Sequence, residues 1–231
     1  MITIPRLREN SRSYTTPLED RGGNDFFAIY LHNLFKPAPN SSLSMEVLTR
    51  AELEMRKEEI LTKMRQGTIF IYPTDTIYGI GCVATNEEAV KKVRDIKQRP
   101  SSPLSIWVPN MKWISTNCVI TPSAAEWLGK LPGPYTLILP LDTENALAPN
   151  VTNKNSIGIR LPAHWFHEFV QELGIPLITT SANITGHQFM TSLENLDSDV
   201  EKHVELMIYE GPKEARPSKI VHVDREEVLE R

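Results

Sequence analysis

From Gly67 to Gly81 the chain reads Gly-Thr-Ile-Phe-Ile-Tyr-Pro-Thr-Asp-Thr-Ile-Tyr-Gly-Ile-Gly. No other stretch constrains the fold as much. Thr68–Tyr72 is a short β-branched and aromatic run opened by a glycine, the pattern of a buried strand. Pro73 cannot donate to a ladder and ends it. Thr74, Asp75, Thr76 and Tyr78 then place hydroxyls and a carboxylate just past its end, and Gly79 and Gly81 permit a sharp turn or a close backbone approach. Ligands of open α/β sheets bind just beyond the carboxyl ends of strands. The plainer reading is a strand followed by a hydroxyl-capped turn.

The remainder alternates helical and strand patterns. Thr49-Arg-Ala-Glu52 is a capping box, followed at helical spacing by Leu53, Ile60, Leu61 and Met64, with Gly67 as the stop. Asn86 opens a second helix whose buried stripe is Ala89, Val93 and Ile96; Pro100 ends it near Lys97. Strands are expected at Pro103–Val108, Tyr135–Leu139, Ile157–Leu161, Pro176–Thr180 and Lys219–Val223, with a weak one at 204–208. Further helices are expected at Pro122–Leu131, His164–Leu173 and 192–203, and Ser181–Gly186 reads as a loop. Such alternation predicts an α/β fold.

With 231 residues, 40% of them hydrophobic, the chain suits one domain with a tail. Residues 1–45 form that tail: an N-terminal extension, partly irregular, with one apolar island at Phe26–Leu31 and a linker at Lys36–Ser42. Its Glu9, Glu19 and Asp20 argue against a mitochondrial presequence. The folded domain is expected at 46–231. A net charge of −4 gives no global basic field for nucleic acid. Cys82 and Cys118 are the only cysteines, which is neither a disulfide framework nor a zinc signature and points to a reducing, cytoplasmic setting. No apolar run approaches the ~20 residues that span a bilayer.

Three constellations carry chemistry. Lys97-Gln-Arg99 places two cations at a helix end, as favourable terminal charge or as a phosphate clamp. Ser181-Ala-Asn183 projects from a strand end, as a turn cap or as a ligand contact. Arg160 lies inside an apolar strand and needs a partner, either an internal carboxylate or that of a ligand. His164 and His167 are three apart on a helix, but no third ligand accompanies them, so packing roles fit better than a metal. Neither a P-loop nor a dinucleotide fingerprint occurs.

Pro73-Thr-Asp-Thr-Ile-Tyr-Gly-Ile-Gly81 resembles the PTxTxYGLG signature of the YrdC-type family, the threonylcarbamoyl-adenylate synthases. Lys97-Gln-Arg-Pro100 followed by Pro103-Leu104 is similar to the family's basic motif, one residue shorter than in many members. Thr180-Ser-Ala-Asn-Ile-Thr-Gly186 resembles its Ser-x-Asn motif, and Leu131–Thr136 its PGPxT segment. Pro217-Ser-Lys-Ile-Val-His-Val-Asp224 resembles its Pro-Ser-Thr-Ile-Val-Asp ending, with Lys219 where Thr is usual. The resemblance covers residues 46–224, and the motifs stand in the family's order.

The resemblance implies a twisted mixed sheet flanked by helices around a concave substrate pocket. It implies synthesis of threonylcarbamoyl-AMP and pyrophosphate from L-threonine, bicarbonate or CO2, and ATP with Mg2+. The product would serve a transferase complex that modifies the tRNA adenosine next to the anticodon. By motif position, Lys97 and Arg99 neutralise phosphate. Thr76, Arg160, Ser181 and Ser218 hold threonine. Asn183, Thr191 and Ser102 contact the nucleotide, and no resident metal site is implied. Rival readings are a different carbamoyl adenylate, as made by the YrdC-like module of hydrogenase maturation factors, a double-stranded RNA or tRNA binder without synthase activity, and a regulatory pseudoenzyme.

Overall fold

The computed structural model describes residues 45–143, 145–225 and 227–230; the expectations for the tail, its apolar island and its targeting lie outside them. Among the described residues, ten strands form one mixed sheet. In chain order they are β1 (Glu46–Leu48), β2 (Phe70–Tyr72), β3 (Gly79–Gly81), β4 (Ser105–Trp107), β5 (Tyr135–Pro140), β6 (Ser156–Arg160), β7 (Leu177–Ser181), β8 (Leu206–Ile208), β9 (Lys219–His222) and β10 (Glu227–Leu229). Across the sheet they run β1-β8-β2-β3-β7-β4-β6-β5-β9-β10. Helices α1 (Arg50–Met55), α2 (Lys57–Arg65), α3 (Glu87–Ile96), α4 (Met111–Asn117), α5 (Pro122–Leu128), α6 (His167–Leu173) and α7 (Ser198–Glu201) flank it. The mixed sheet with flanking helices matches the expected fold class.

The local signals mostly act where expected. Thr49 and Glu52 close a reciprocal capping box at α1, and Asn86 caps α3 through Ala89 N (3.0 Å). The first helix is not continuous: Arg56, at φ −108°, separates α1 from α2. The expected helix at 192–203 is a 3-10 turn, Leu193–Asn195, followed by the single turn α7. α4, β1 and β10 were not expected.

Of the two readings of Gly79 and Gly81, the close backbone approach holds: with Ile80 they form β3, antiparallel to both β2 and β7. A Cβ on Gly81 would sit 1.8 Å from the Ile178 carbonyl oxygen, and one on Gly79 would meet the Tyr72 ring at 3.1 Å. The glycines therefore let β7 and a large aromatic close on β3. The Tyr72 hydroxyl donates to the Ile178 carbonyl at 2.7 Å. It is buried in an aromatic cluster with Phe70, Trp107 and Phe166. A second core, built around Ile69, Ile80, Ile106 and Ile159, holds α3 through Ala89, Val90 and Val93.

Candidate active site

The strand order gathers distant segments. β3 pairs with β7, β7 with β4, β4 with β6 and β6 with β5. On one side lies a hollow of ≈ 450 Å³ lined by residues that include Thr76, Tyr78, Arg99, Ser105, Thr136 and Arg160. Ser181, Phe189 and Ser218 also line it. Its volume is of ligand-pocket scale. An adjoining, smaller hollow of ≈ 280 Å³ shares Arg99 and Ser105 and adds Lys154, His222 and Arg225.

Arg160, at the end of β6, is 7% exposed. Its Nη2 donates to Asp75 Oδ1 (2.7 Å) and to Thr76 Oγ1 (3.3 Å). Asp75 also accepts from Ala163 N (3.2 Å). The buried Nε of Arg160 has no partner. Burial lowers the Arg160 pKa, and the Asp75 carboxylate opposes that shift. The sequence left open whether this arginine had an internal carboxylate; it has one, and still keeps an unsatisfied N–H.

The hydroxyl directions follow from proton counting, since a hydroxyl carries one proton. Thr74 Oγ1 donates to the Ile77 carbonyl (2.7 Å). It lies 3.0 Å from Thr76 Oγ1, so Thr76 must donate to it. Thr76 therefore offers the hollow only lone pairs. Ser181 is in the same condition, because its hydroxyl donates to Asn183 Oδ1 at 2.6 Å. Hydroxyls that can only accept thus line the same hollow as the guanidinium groups of Arg160 and Arg99.

Lys97 lies beneath the hollow. Its Nζ donates to the carbonyls of Ser181 (2.6 Å) and Asn183 (2.7 Å) and to Asn183 Oδ1 (3.1 Å). The Lys97 carbonyl in turn accepts from Thr185 N (3.1 Å) and Thr185 Oγ1 (2.8 Å). The residue thus fastens both ends of the Ser181–Thr185 loop. Between Lys97 and Arg99, Gln98 sits at φ 50°, which directs its neighbours to different faces. Arg99 donates to the Pro103 carbonyl (2.9 Å), and burial lowers its pKa. Arg94 shapes this turn from below, donating to the carbonyls of Arg99, Ser102, Asn150 and Val151.

Residues 62–231 match the family model Sua5/YciO/YrdC, described as telomere recombination. The chain belongs to this family. It is 39% identical over 181 residues to a putative threonylcarbamoyl-AMP synthase of Methanocaldococcus jannaschii, covering 77% of this chain and 83% of that one. It is 33% identical over 154 residues to the threonylcarbamoyl-AMP synthase of Bacillus subtilis, covering 64% of this chain but 44% of that protein. Pyrococcus abyssi Sua5 in complex with L-threonine aligns with TM-score 0.68 and 29% identity, over 77% of this chain and 54% of that one.

Set against the family motifs, the geometry divides the sequence-derived residues. Thr76, Arg99, Arg160, Ser181 and Ser218 line one hollow. Asn183 lies in the loop that Lys97 fastens. Ser102 is exposed, with its carbonyl turned to Arg94. Thr191 faces Asn195, whose Nδ2 donates to its hydroxyl at 2.8 Å. Neither residue lines the hollow. His164 pairs with Glu210, and His167 accepts from Trp107 Nε1 at 3.0 Å. Arg94 was missed, and Thr74 and Asp75, though noted past the end of the strand, were given no specific role. An arginine four residues after Val90, on the buried face of α3, was the available signal for Arg94.

Proposed function

We propose that this chain is a threonylcarbamoyl-AMP synthase, the activity named for its curated relatives. The threonine amine takes up CO2, supplied by bicarbonate, to form a carbamate. A carbamate oxygen then attacks the α-phosphate of ATP, the bond to the β-phosphate breaks, and pyrophosphate leaves. Positioning and charge neutralisation dominate such a displacement.

The observation that carries this reading is the hollow: buried Arg160 with an unsatisfied N–H, beside hydroxyls that can only accept. In this reading Arg160 takes the α-carboxylate of threonine. Thr76 and Ser181 accept from its N–H or O–H groups, and Ser218, hydrogen-bonded to Thr136 at 2.8 Å, closes the far side. Arg99, shared by the two hollows, meets the phosphates. Lys97 acts through the loop that holds Ser181 and Asn183. Asn183, Ser102 and Thr191 are assigned to the nucleotide by motif position.

Mg2+ would arrive with ATP; the described residues lining the main hollow include no carboxylate, so phosphate oxygens and water would hold the ion. No helix among the described residues is long and apolar enough to cross a membrane, and a cytoplasmic enzyme fits this reading. Its product goes to a transferase complex that modifies the tRNA adenosine next to the anticodon.

The test is pyrophosphate release from ATP with threonine and bicarbonate omitted in turn. Strict dependence on both is expected, and Arg99→Ala should lose ~10²-fold or more, as removal of a preorganised charge contact does. Turnover indifferent to threonine would sink the assignment. Salt-sensitive RNA affinity without turnover would replace it with an RNA-binding role.

A further inference from the structure

The segment after β8 carries a charged cluster that none of the assigned roles uses. Lys213 Nζ donates to the Thr74 carbonyl at 2.8 Å and also contacts the Glu210 carboxylate. Glu210 is in hydrogen-bond contact with His164 Nε2 (3.0 Å) and accepts from Trp165 Nε1. Its backbone N–H donates to the Tyr78 hydroxyl at 3.1 Å, and that hydroxyl donates to the Gly211 carbonyl at 2.6 Å. Lys213 N donates to the Thr191 carbonyl at 2.8 Å. Five residues, Tyr209 to Lys213, thus touch the turn before β3, the segment after β6 and the loop after β7.

What these contacts hold is the turn that shapes the threonine end of the hollow. The Thr74 carbonyl is gripped from outside by Lys213, while the Thr74 hydroxyl fixes Thr76 from inside. Thr76 in turn accepts from Arg160. A continuous hydrogen-bonded path therefore runs from Glu210 through Lys213, Thr74 and Thr76 to the guanidinium. The side chains of Lys213 and Glu210 are 14% and 22% exposed, so water screens the pair less than it does a surface pair. Neither residue lines the hollow.

We propose that Lys213 and Glu210 are positioning residues for amino-acid binding: they set the Thr74–Tyr78 turn, and through it the lone pair of Thr76 and the orientation of Arg160. This rests on the synthase reading given above. A residue that acts in this way controls the site for one substrate and not the other. A merely structural residue would lower stability and weaken both sites alike.

The experiment uses the full chain and three variants: Lys213→Met, Lys213→Arg and Glu210→Gln. Pyrophosphate release gives the apparent KM for threonine and for ATP, and amide hydrogen exchange without substrates reads peptides spanning 74–79. Lys213→Met should raise the threonine KM ~10-fold or more, leave the ATP KM within about twofold, and speed exchange in 74–79. Lys213→Arg should recover most of both effects. Glu210→Gln should shift the threonine KM the same way by a smaller factor, and it decides the matter if Lys213→Met does not fold. Equal rises in both KM values, or exchange at 74–79 unchanged in Lys213→Met, would overturn the proposal. A wild-type protein that turns over ATP without threonine defeats the synthase reading instead; the exchange measurement still decides whether Lys213 sets the turn.

Discussion

At the scale of single residues, the buried pair Arg160–Asp75 is the most exacting feature. Asp75→Asn leaves the guanidinium with a neutral partner in a nearly dry site, and truncating a buried pair typically costs ~3–5 kcal/mol. We expect a thermal midpoint lowered by several degrees and a raised threonine KM, measured by calorimetry and steady-state kinetics. Gln98 gives the opposite case. It holds a left-handed conformation that glycine adopts without penalty, so Gln98→Gly should be neutral or stabilising by up to ~1 kcal/mol in denaturant unfolding. Gln98→Val should destabilise and cut turnover, because the residue links Lys97, which fastens the Ser181–Thr185 loop, to Arg99 in the hollow. Glu210 supplies a pH dependence. Burial pushes its carboxyl up, but contacts from His164, Lys213 and Trp165 outweigh this and hold it at about 2, well below the usual 4.5 of a glutamate. A depressed folded-state pKa gives stability that is present above the unfolded value and lost as pH falls through the folded one. Stability should therefore drop between about pH 4.5 and 2, and Glu210→Gln should flatten that part of the curve.

At the scale of elements, the glycines of β3 are the instructive case. Gly81→Ala places a methyl inside van der Waals range of the Ile178 carbonyl, and the strands cannot pair in register around it. A loss of soluble folded protein, or a midpoint many degrees lower, is expected by circular dichroism. Gly186→Ala, with open space around it but φ 89°, should cost only ~1 kcal/mol. These positions also show what sequence could convey. Capping at Thr49 and Asn86, the Pro73 stop and the apolar runs of β4 to β7 are local codes, and they were legible. For Gly79 and Gly81 the sequence left a turn and a close approach open, because the group that approaches, the Ile178 carbonyl, lies about a hundred residues away. The same holds within the site. Thr76, Arg160 and Ser181 were reachable through motif resemblance, whereas Arg94, Thr74 and Asp75 do their work through carbonyls and a turn that sequence does not display. The break at Arg56 and the single-turn α7 were hidden because helical periodicity continues through both.

At the scale of the whole molecule, two cores lie against one ten-stranded sheet, and the aromatic cluster of Tyr72, Trp107 and Phe166 joins β2, β4 and the start of α6. Phe166 is fully buried, and Phe166→Ala should cost ~3–5 kcal/mol, with loss of cooperative unfolding as the readout. The position of β8 has a different reach. It lies between β1 and β2 and is parallel to both, yet it is made of residues 206–208. During synthesis the first two strands of this sheet must therefore wait, unpaired on their inner edges, until some hundred and thirty further residues have left the ribosome. A nascent chain halted before Leu206 would lack the strand that joins β1 to β2, and its first two strands should stay open to protease until that segment emerges.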